Sequence, residues 1–231
     1  MSKTVTFQRP DGANVSGYLA EPAHPAGAPG VVVIQEWWGL NDQVKGVAGM
    51  FASEGFVALA PDFYHGKSAK MGEPDEAQKL MMELFESDSA AKDARGAAEY
   101  LTAHPAVTSK KVGVIGFCMG GFLAILVGGV APDKVAAVVD CYGVGHHVPD
   151  LKPMRGIPIL GIFGGKDHMA NAEATAALEK TAKDAGVPFT KVVYPEADHA
   201  FLNEQRRDAH RPADAKDAWG KILPFLKTNV K

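Results

Sequence analysis

The sequence predicts an α/β fold with a mostly parallel, about eight-stranded sheet and helices on both faces. Short apolar runs alternate with helical patterns along the 231 residues, which is typical of strand–helix–strand units. Runs such as Gly30–Gln35 are apolar at nearly every position, as expected for strands covered on both sides. The predicted strands are Val5–Gln8, Val15–Ala20, Gly30–Gln35, Phe56–Ala60, Lys111–Ile115, Ala136–Tyr142, Pro158–Phe163 and Thr190–Tyr194. The predicted helices are Asn41–Glu54, Asp75–Phe85, Ser89–Ala103, Phe122–Val127 and two at about 170–185 and 213–228.

Length and composition indicate one domain over residues 1–231, because 46% apolar residues suffice for a large core and no linker or repeat interrupts the pattern. The formal charge of −3, without a basic run, gives no electrostatic support for a nucleic-acid partner. No run reaches the ~18–20 apolar residues of a membrane span, and the first residues lack the apolar core of a signal peptide. No CxxC pair or HExxH helix is present, so we expect no metal, and we expect no other cofactor. We also expect a monomer located in the cytoplasm.

The segment Gly116–Gly121 is the most informative part of the chain. It follows the apolar run Lys111–Ile115 and leads directly into a helical pattern, so it predicts a sharp strand-to-helix turn with Cys118 at its tip. Small residues on both sides of Cys118 allow the strand and helix to approach closely. This is the nucleophile elbow of α/β-hydrolases, with cysteine where most of them have serine. A nucleophilic thiol must stay reduced, which favours a cytoplasmic setting.

A nucleophile of this kind needs a base, and the base needs an orienting acid. In α/β-hydrolases the order along the chain is nucleophile, acid, histidine, and this sequence offers Cys118, Asp167 and His199 in that order. Asp167 follows a strand and a glycine turn, and His199 follows the last predicted strand. All three therefore fall on loops at the carboxyl edge of the sheet, where such folds bind ligands.

Other side chains compete weakly for these roles. Asp198 is the rival acid, but a sequence neighbour of the histidine usually points its side chain elsewhere. Cys141 ends an apolar strand and is predicted to be a small core residue. The other histidines do not follow the last strand in the required order; they are His24, His65, His104, His146, His147, His168 and His210.

Glu36 closes the strand Gly30–Gln35 and begins the loop that supplies one oxyanion-hole N–H in this fold. A carboxylate at the end of a buried strand costs free energy unless it is paired or protonated. Two interpretations stay open on the sequence alone: a catalytic carboxylate, or a structural one bonded to the loop backbone.

At these residues the chain resembles the dienelactone hydrolases (carboxymethylenebutenolidases). The resemblance spans about residues 30 to 201 and rests on five blocks, in order: Gln35-Glu36-x-x-Gly39-Leu40-Asn41, Ala60-Pro61-Asp62-x-Tyr64, Gly116–Gly121, Gly164-Gly165-x-Asp167 and Tyr194-x-x-Ala197-x-His199-x-Phe201. It implies a triad of Cys118, Asp167 and His199. It also implies that Glu36 hydrogen-bonds the resting thiol and helps to deprotonate it when substrate arrives, and that the backbone N–H groups of Trp37 and Met119 form the oxyanion hole.

The chain departs from the family pattern where substrate is bound. Family members that open chlorocatechol-derived lactones hold the substrate carboxylate with two arginines. Here Pro74–Phe85 contains no arginine, and the second arginine position falls near Asn203. Arg206, Arg207 or Lys67 are the cations that could substitute. We expect substrate contacts from five residues: Trp38, Tyr64, Met82, Phe201 and Arg206.

The sequence therefore predicts a cysteine-dependent hydrolase that opens a small lactone or enol-ester through an acyl-thioester. A general carboxylesterase or thioesterase with an apolar acyl pocket is the first alternative, favoured by the absent arginines. The second alternative is a non-catalytic redox sensor or interaction module on the same fold; the presence of nucleophile, acid and base together argues against it.

Overall fold

An eight-stranded sheet forms the centre of the protein in a computed structural model that describes residues 1–145 and 148–231. The strands are β1 (Ser2–Gln8), β2 (Asn14–Ala20), β3 (Gly30–Ile34), β4 (Val57–Pro61), β5 (Val112–Phe117), β6 (Val135–Cys141), β7 (Ile159–Gly164) and β8 (Phe189–Tyr194). The helices are α1 (Asp42–Ser53), α2 (Pro74–Glu86), α3 (Ser89–Ala103), α4 (Met119–Val130), α5 (Ala172–Ala185) and α6 (Pro212–Asn229). The α/β-hydrolase fold predicted from the sequence is confirmed. His146 and His147, which the sequence argument set aside as bases, lie outside the described residues.

The strand order is β1-β2-β4-β3-β5-β6-β7-β8, with β1 and β2 antiparallel at one edge and the others parallel. Every residue of β3, β4 and β5 is buried, because helices cover both faces of the sheet there. The carboxyl ends of the central strands are nearly level: the paired residues are Ile34 and Gly116, Phe117 and Cys141, and Gly164 and Tyr194. The loops that follow these strands therefore meet at one edge.

Helices α1 and α6 share one face of the sheet. The rings of Phe51 and Trp219 meet edge to face at 5.9 Å, and Lys227 is paired with Glu54 at 2.7 Å. On the other face α3 is tied to α4 by Arg95, whose Nη1 donates to the carbonyl oxygen of Val130 at 2.9 Å. Capping side chains fix helix ends. At the start of α1, the Asn41 side chain accepts a hydrogen bond from a backbone N–H of the first turn.

Two elements begin three residues earlier than the sequence predicts. β1 begins at Ser2 rather than Val5, because the polar residues before Val5 continue the antiparallel ladder as far as the pair Ser2–Ala20. An edge strand needs no apolar side chains for backbone pairing. α4 begins at Met119 rather than Phe122, so its first turn contains two glycines that disfavour a helix on propensity alone. The close contacts described below explain why the first of them cannot be larger.

Candidate active site

The elbow after β5 places Cys118 at a strained point of the backbone. Its φ of 55° and ψ of −123° lie outside the regions that L-residues readily adopt. The turn is close-packed: a Cβ on Gly116 would lie 1.8 Å from the carbonyl oxygen of Gly120, and a Cβ on Gly120 would lie 2.3 Å from that of Gln35. Only glycine fits at these two positions, and the half-buried Cys118 side chain is left at the sheet edge.

Asp167 and His199 meet as the chain order predicts. His199 Nδ1 lies 2.8 Å from Asp167 Oδ2, although the residues are 32 positions apart. The other carboxylate oxygen accepts from the backbone N–H groups of Met169 at 2.7 Å and Ala170 at 2.9 Å, which fixes the orientation of the carboxylate. Asp198, the rival acid, is exposed and only accepts from the backbone N–H of His199. The structure thus pairs the histidine with Asp167.

His199 and Asp167 each favour the charged form of the other. Burial opposes a charged His199, but the hydrogen bond to Asp167 and the nearby Cys118 thiol raise its pKa to about 10. Burial likewise opposes a charged Asp167, and the hydrogen bonds from His199 and the backbone outweigh it, so the pKa of Asp167 is lowered. The other ring nitrogen, Nε2, has no hydrogen-bond partner among the described residues. It is therefore available to a reacting group.

Glu36 is buried at the end of β3 and is held by two side chains from distant parts of the sequence. Asn203 Nδ2 donates to Glu36 Oε2 at 2.8 Å, and the Tyr142 hydroxyl donates to Oε1 at 3.4 Å. Burial raises the pKa of Glu36, although the bond from Asn203 and the proximity of His199 oppose the shift. Neither hydrogen-bond partner is Cys118, so the bond between Glu36 and the resting thiol implied by the family resemblance is not present in this structure.

Asn203 and Tyr142 are the residues that sequence reasoning missed. Asn203 is fully buried, and its side-chain oxygen accepts from the Gln205 N–H at 3.0 Å, which points its amide nitrogen at Glu36. The Tyr142 ring packs edge to face on the His199 ring at 5.1 Å, from a backbone with φ of 45°. The only sequence signal was positional: Asn203 falls where the family pattern has an arginine, and Tyr142 ends β6.

We expect Asn203→Ala to lower the free energy of unfolding by about 1–3 kcal/mol, because it leaves the buried Glu36 carboxyl without its shortest hydrogen bond. Chemical denaturation at pH 7 measures the change. The control is the same substitution in a Glu36→Met background, where no carboxyl remains to be satisfied, and the cost should shrink. An equal cost in both backgrounds would show that Asn203 stabilises the loop by packing alone.

The loop after β3 is clamped to the loop after β4. The Tyr64 hydroxyl donates to the carbonyl oxygen of Trp37 at 3.0 Å and lies 3.5 Å from the sulfur of Met119. The N–H of Ala69 donates to the carbonyl oxygen of Trp38 at 3.0 Å. Among the described residues, no backbone carbonyl accepts from the N–H groups of Trp37 or Met119. Both N–H groups are therefore available at the same edge as Cys118.

The five residues expected to contact substrate have different surroundings. Trp38 and Tyr64 are buried in the clamped loops, and Met82 is half exposed on α2. Phe201 has no exposed surface and packs on the rings of Tyr142 and Tyr194 at 5.9 and 5.1 Å, so it supports the histidine loop from inside and lines no open pocket.

Two of the three candidate cations, Arg206 and Lys67, are engaged with neighbouring carboxylates, and the third, Arg207, is exposed. Arg206 donates to both oxygens of Asp208 at 2.9 and 2.7 Å, and Lys67 Nζ lies 2.9 Å from Glu83 Oε2. The pKa of Arg206 is raised, first by that hydrogen bond to Asp208 and then in part by Glu36. A substrate carboxylate would have to compete with these existing pairs.

Two properties of the described ranges, 1–145 and 148–231, bear on a membrane span and on a metal site: the length and apolar character of their helices, and the clustering of ligating side chains. None of the helices there combines the length and the apolar character that crossing a bilayer requires. No group of three or more histidine, cysteine, aspartate or glutamate side chains in those ranges has a geometry that could hold a metal ion.

Similarity to known proteins identifies the family of this chain. The model of the "Dienelactone hydrolase family" matches residues 15–230, nearly the whole chain. The chain belongs to the dienelactone hydrolase family. It is 39% identical to "Protein usf" of Aquifex pyrophilus, covering 98% of both chains. It is 36% identical to a protein of Aquifex aeolicus named "Putative carboxymethylenebutenolidase", covering 100% of both.

A crystal structure of a "Putative Dienelactone Hydrolase" from Klebsiella pneumoniae subsp. pneumoniae superposes with a TM-score of 0.81 at 26% identity, covering 98% of this chain and 99% of that one. The resemblance inferred from the five sequence blocks is thus confirmed over nearly the whole chain. As a member of the dienelactone hydrolase family, the protein is a hydrolase of the carboxymethylenebutenolidase type.

Proposed function

We propose that this hydrolase opens small lactones and activated esters with Cys118 as nucleophile, His199 as base and Asp167 as orienting acid. The observation that supports this most directly is the 2.8 Å pair of His199 and Asp167, with Nε2 of the histidine unpartnered at the edge that bears the strained Cys118. A structural histidine would have both ring nitrogens satisfied. His199 has one ring nitrogen, Nε2, that is free to accept and release a proton.

The chemistry follows from this arrangement. The proton of the Cys118 thiol passes to His199, whose raised pKa favours holding it. The sulfur then attacks the substrate carbonyl carbon, forming a C–S bond and a tetrahedral oxyanion. The N–H groups of Trp37 and Met119 donate to that oxyanion. Collapse breaks the C–O bond, and His199 protonates the leaving oxygen, which in a lactone remains part of the acyl group. Water then attacks the thioester carbonyl and gives a proton to His199. The C–S bond breaks as His199 returns that proton to the sulfur, which releases the carboxylic acid and restores the Cys118 thiol.

Glu36 acts in this scheme as a carboxyl beside the reacting groups rather than as a direct partner of the resting thiol. Its pKa is raised by burial, so it ionises with difficulty, although the hydrogen bond from Asn203 and the nearby charge of His199 oppose that shift. We propose that Glu36, held by Asn203 and Tyr142, accepts or yields a proton as the charge on Cys118 changes.

Tyr64 is a positioning residue in this scheme, because its hydroxyl joins Trp37 to the Met119 side chain. We expect Tyr64→Phe to lower kcat by about tenfold with KM little changed, less than the ~10²–10³ lost when an oxyanion donor itself is removed. Steady-state kinetics with p-nitrophenyl acetate measure the change. Tyr100→Phe, on α3 against Phe7, is the matched control and should retain full activity. A change in KM alone would mean that Tyr64 contacts substrate, as the sequence suggested.

A general carboxylesterase or thioesterase is the second candidate, and the cationic side chains favour it. Asn203 is committed to Glu36, while Arg206 and Lys67 are paired with Asp208 and Glu83. A bidentate arginine is the usual solution for a carboxylate ligand. Because Arg206 and Lys67 are already paired, an uncharged ester or thioester suits the site better than an anionic dienelactone unless the exposed Arg207 takes the carboxylate.

The deciding experiment compares cis- and trans-dienelactone, p-nitrophenyl acetate and an acyl thioester as substrates of the wild type and Cys118→Ala. We expect hydrolysis that depends on Cys118. A preference for dienelactone by orders of magnitude in kcat/KM would establish the lactonase, and a preference for the uncharged substrates would establish the esterase. Turnover that survives Cys118→Ala would refute the mechanism and leave the redox-sensor alternative for the thiol.

A further inference from the structure

A cavity of about 330 Å³ lies between the first half of α4, the described residues 143–145 and 148–149 that follow β6, and α5. This volume lies within the ~300–1,000 Å³ range of small-molecule sites. Its wall is mainly apolar and includes Phe122, Ile125, Val144, Val148, Ala177 and Leu178. Among the described residues that line it, Glu173 is the one with a formal charge. Cys118, Asp167 and His199 are not part of the wall, so this space is distinct from the catalytic groups.

Two contacts connect the cavity to the nucleophile. Phe122 lies one helical turn after Cys118, with its N–H directed at the Cys118 carbonyl oxygen at 3.5 Å, so it continues the surface on which Cys118 lies. Gly143 packs against the same turn: a Cβ there would lie 2.4 Å from the backbone nitrogen of Phe122. The preceding residue, Tyr142, packs on the His199 ring. The cavity wall therefore begins at Phe122, one helical turn from Cys118.

The wall at Gly143 is held in place by the fold. The buried Asp140 accepts from the Gly143 N–H at 2.8 Å, and the Tyr142 N–H donates to the carbonyl oxygen of Ile162 at 2.8 Å. On the opposite side, the Asn171 side chain caps α5 by accepting from the Ala174 N–H at 3.0 Å. The space between these two walls thus exists without a ligand to induce it, which lowers the cost of binding.

We propose that this cavity holds an uncharged apolar chain of the substrate while its carbonyl carbon lies at Cys118. The proposal rests on the proposed function, and it adds a chemical class: esters with a chain of several carbons, on either the acyl or the alcohol side. Each buried CH₂ group should raise kcat/KM by roughly threefold to fourfold until the cavity is full. A chain ending in a carboxylate is disfavoured, because its charge would be desolvated near Glu173.

The test fills the cavity and compares chain lengths. Ala174 lines the cavity, whereas Ala176, two residues along the same helix, is exposed and does not line it. We expect the wild type to prefer p-nitrophenyl hexanoate over the acetate by at least tenfold. Ala174→Trp should abolish that preference while hydrolysis of the acetate stays within about twofold, and Ala176→Trp should preserve both values. Ala177→Trp, at an exposed position of the same wall, replaces Ala174→Trp if that variant does not fold.

A parallel series identifies which end of the ester enters. If hexyl acetate, and not p-nitrophenyl hexanoate, is preferred over its short counterpart, the chain is that of the alcohol. No chain-length preference in either series, or an equal effect of Ala174→Trp on short and long esters, would overturn the inference. Binding of 1-hexanol, measured by calorimetry with Cys118→Ala, reports on the cavity without turnover and should be lost when Ala174→Trp is added. If hydrolysis persists in Cys118→Ala, the proposed function fails instead, and the hexanol measurement still decides about the cavity.

Discussion

Replacing Cys118 with alanine is expected to reduce ester hydrolysis by roughly 10⁴-fold or more, because no other group in the site can form the acyl intermediate. The fold should survive, since the side chain is half-buried and makes no contact that the elbow depends on. Cys141→Ala is the control: that thiol is fully buried, and burial raises its pKa, so it is a poor nucleophile and its loss should leave kcat unchanged. Iodoacetamide should accordingly label Cys118 alone. Labelling of Cys118 without loss of turnover would contradict the assignment.

Cys118→Gly separates catalysis from strain at the same position. The φ of 55° and ψ of −123° at Cys118 cost a residue with a Cβ on the order of 1–3 kcal/mol, and glycine adopts this conformation without that cost. We therefore expect Cys118→Ala and Cys118→Gly to be equally inactive, with Cys118→Gly unfolding at the higher temperature. Thermal unfolding followed by circular dichroism measures the difference. Equal stability of the two variants would mean that the elbow relaxes when the thiol is removed.

The parts of this molecule that were predictable from sequence are those encoded by short spacings. The elbow needs glycines within two residues of Cys118, and the order of strands and helices shows in local periodicity. Asp167 and His199 were found because each follows a strand, and the fold brings the carboxyl ends of parallel strands to one edge.

What the sequence could not show are contacts made across long separations. The bond from Asn203 to Glu36 joins residues 167 positions apart, and the one from Tyr142 to Glu36 spans 106. Neither residue type is distinctive, so only the folded arrangement reveals that they satisfy a buried carboxyl. Phe201 illustrates the converse: its place in the histidine motif suggested a substrate contact, and its ring is directed into the core. The position of an aromatic residue in a motif does not determine which way its ring points.

Asp167→Asn is expected to lower kcat/KM on the order of 10³–10⁴-fold. The amide can present an N–H to His199 Nδ1, which favours the tautomer with its proton on Nε2, where the base must be free to accept one. Asp198→Asn is the matched control, because asparagine retains the oxygen that accepts from the His199 backbone N–H. We expect that variant to hydrolyse p-nitrophenyl acetate at close to the wild-type rate. If Asp198→Asn were the inactive one, the acid would have to be reassigned.

Stability against pH gives an independent measurement on the same pair. The pKa of His199 is about 10 in the folded protein, above its ordinary 6.5, so protonation of His199 stabilises the fold. That contribution is complete below about pH 6.5 and is lost as the pH rises through about 10. In Asp167→Asn the main cause of the raised pKa is gone, while burial still lowers it, so stability should vary less with pH over this interval. Urea unfolding of wild type, Asp167→Asn and Asp198→Asn at pH 6.5, 8 and 9.5 tests this. If the free energy of unfolding fell equally with pH in all three proteins, groups other than His199 would cause the loss of stability at high pH. Asp167 would then not maintain the charge on His199.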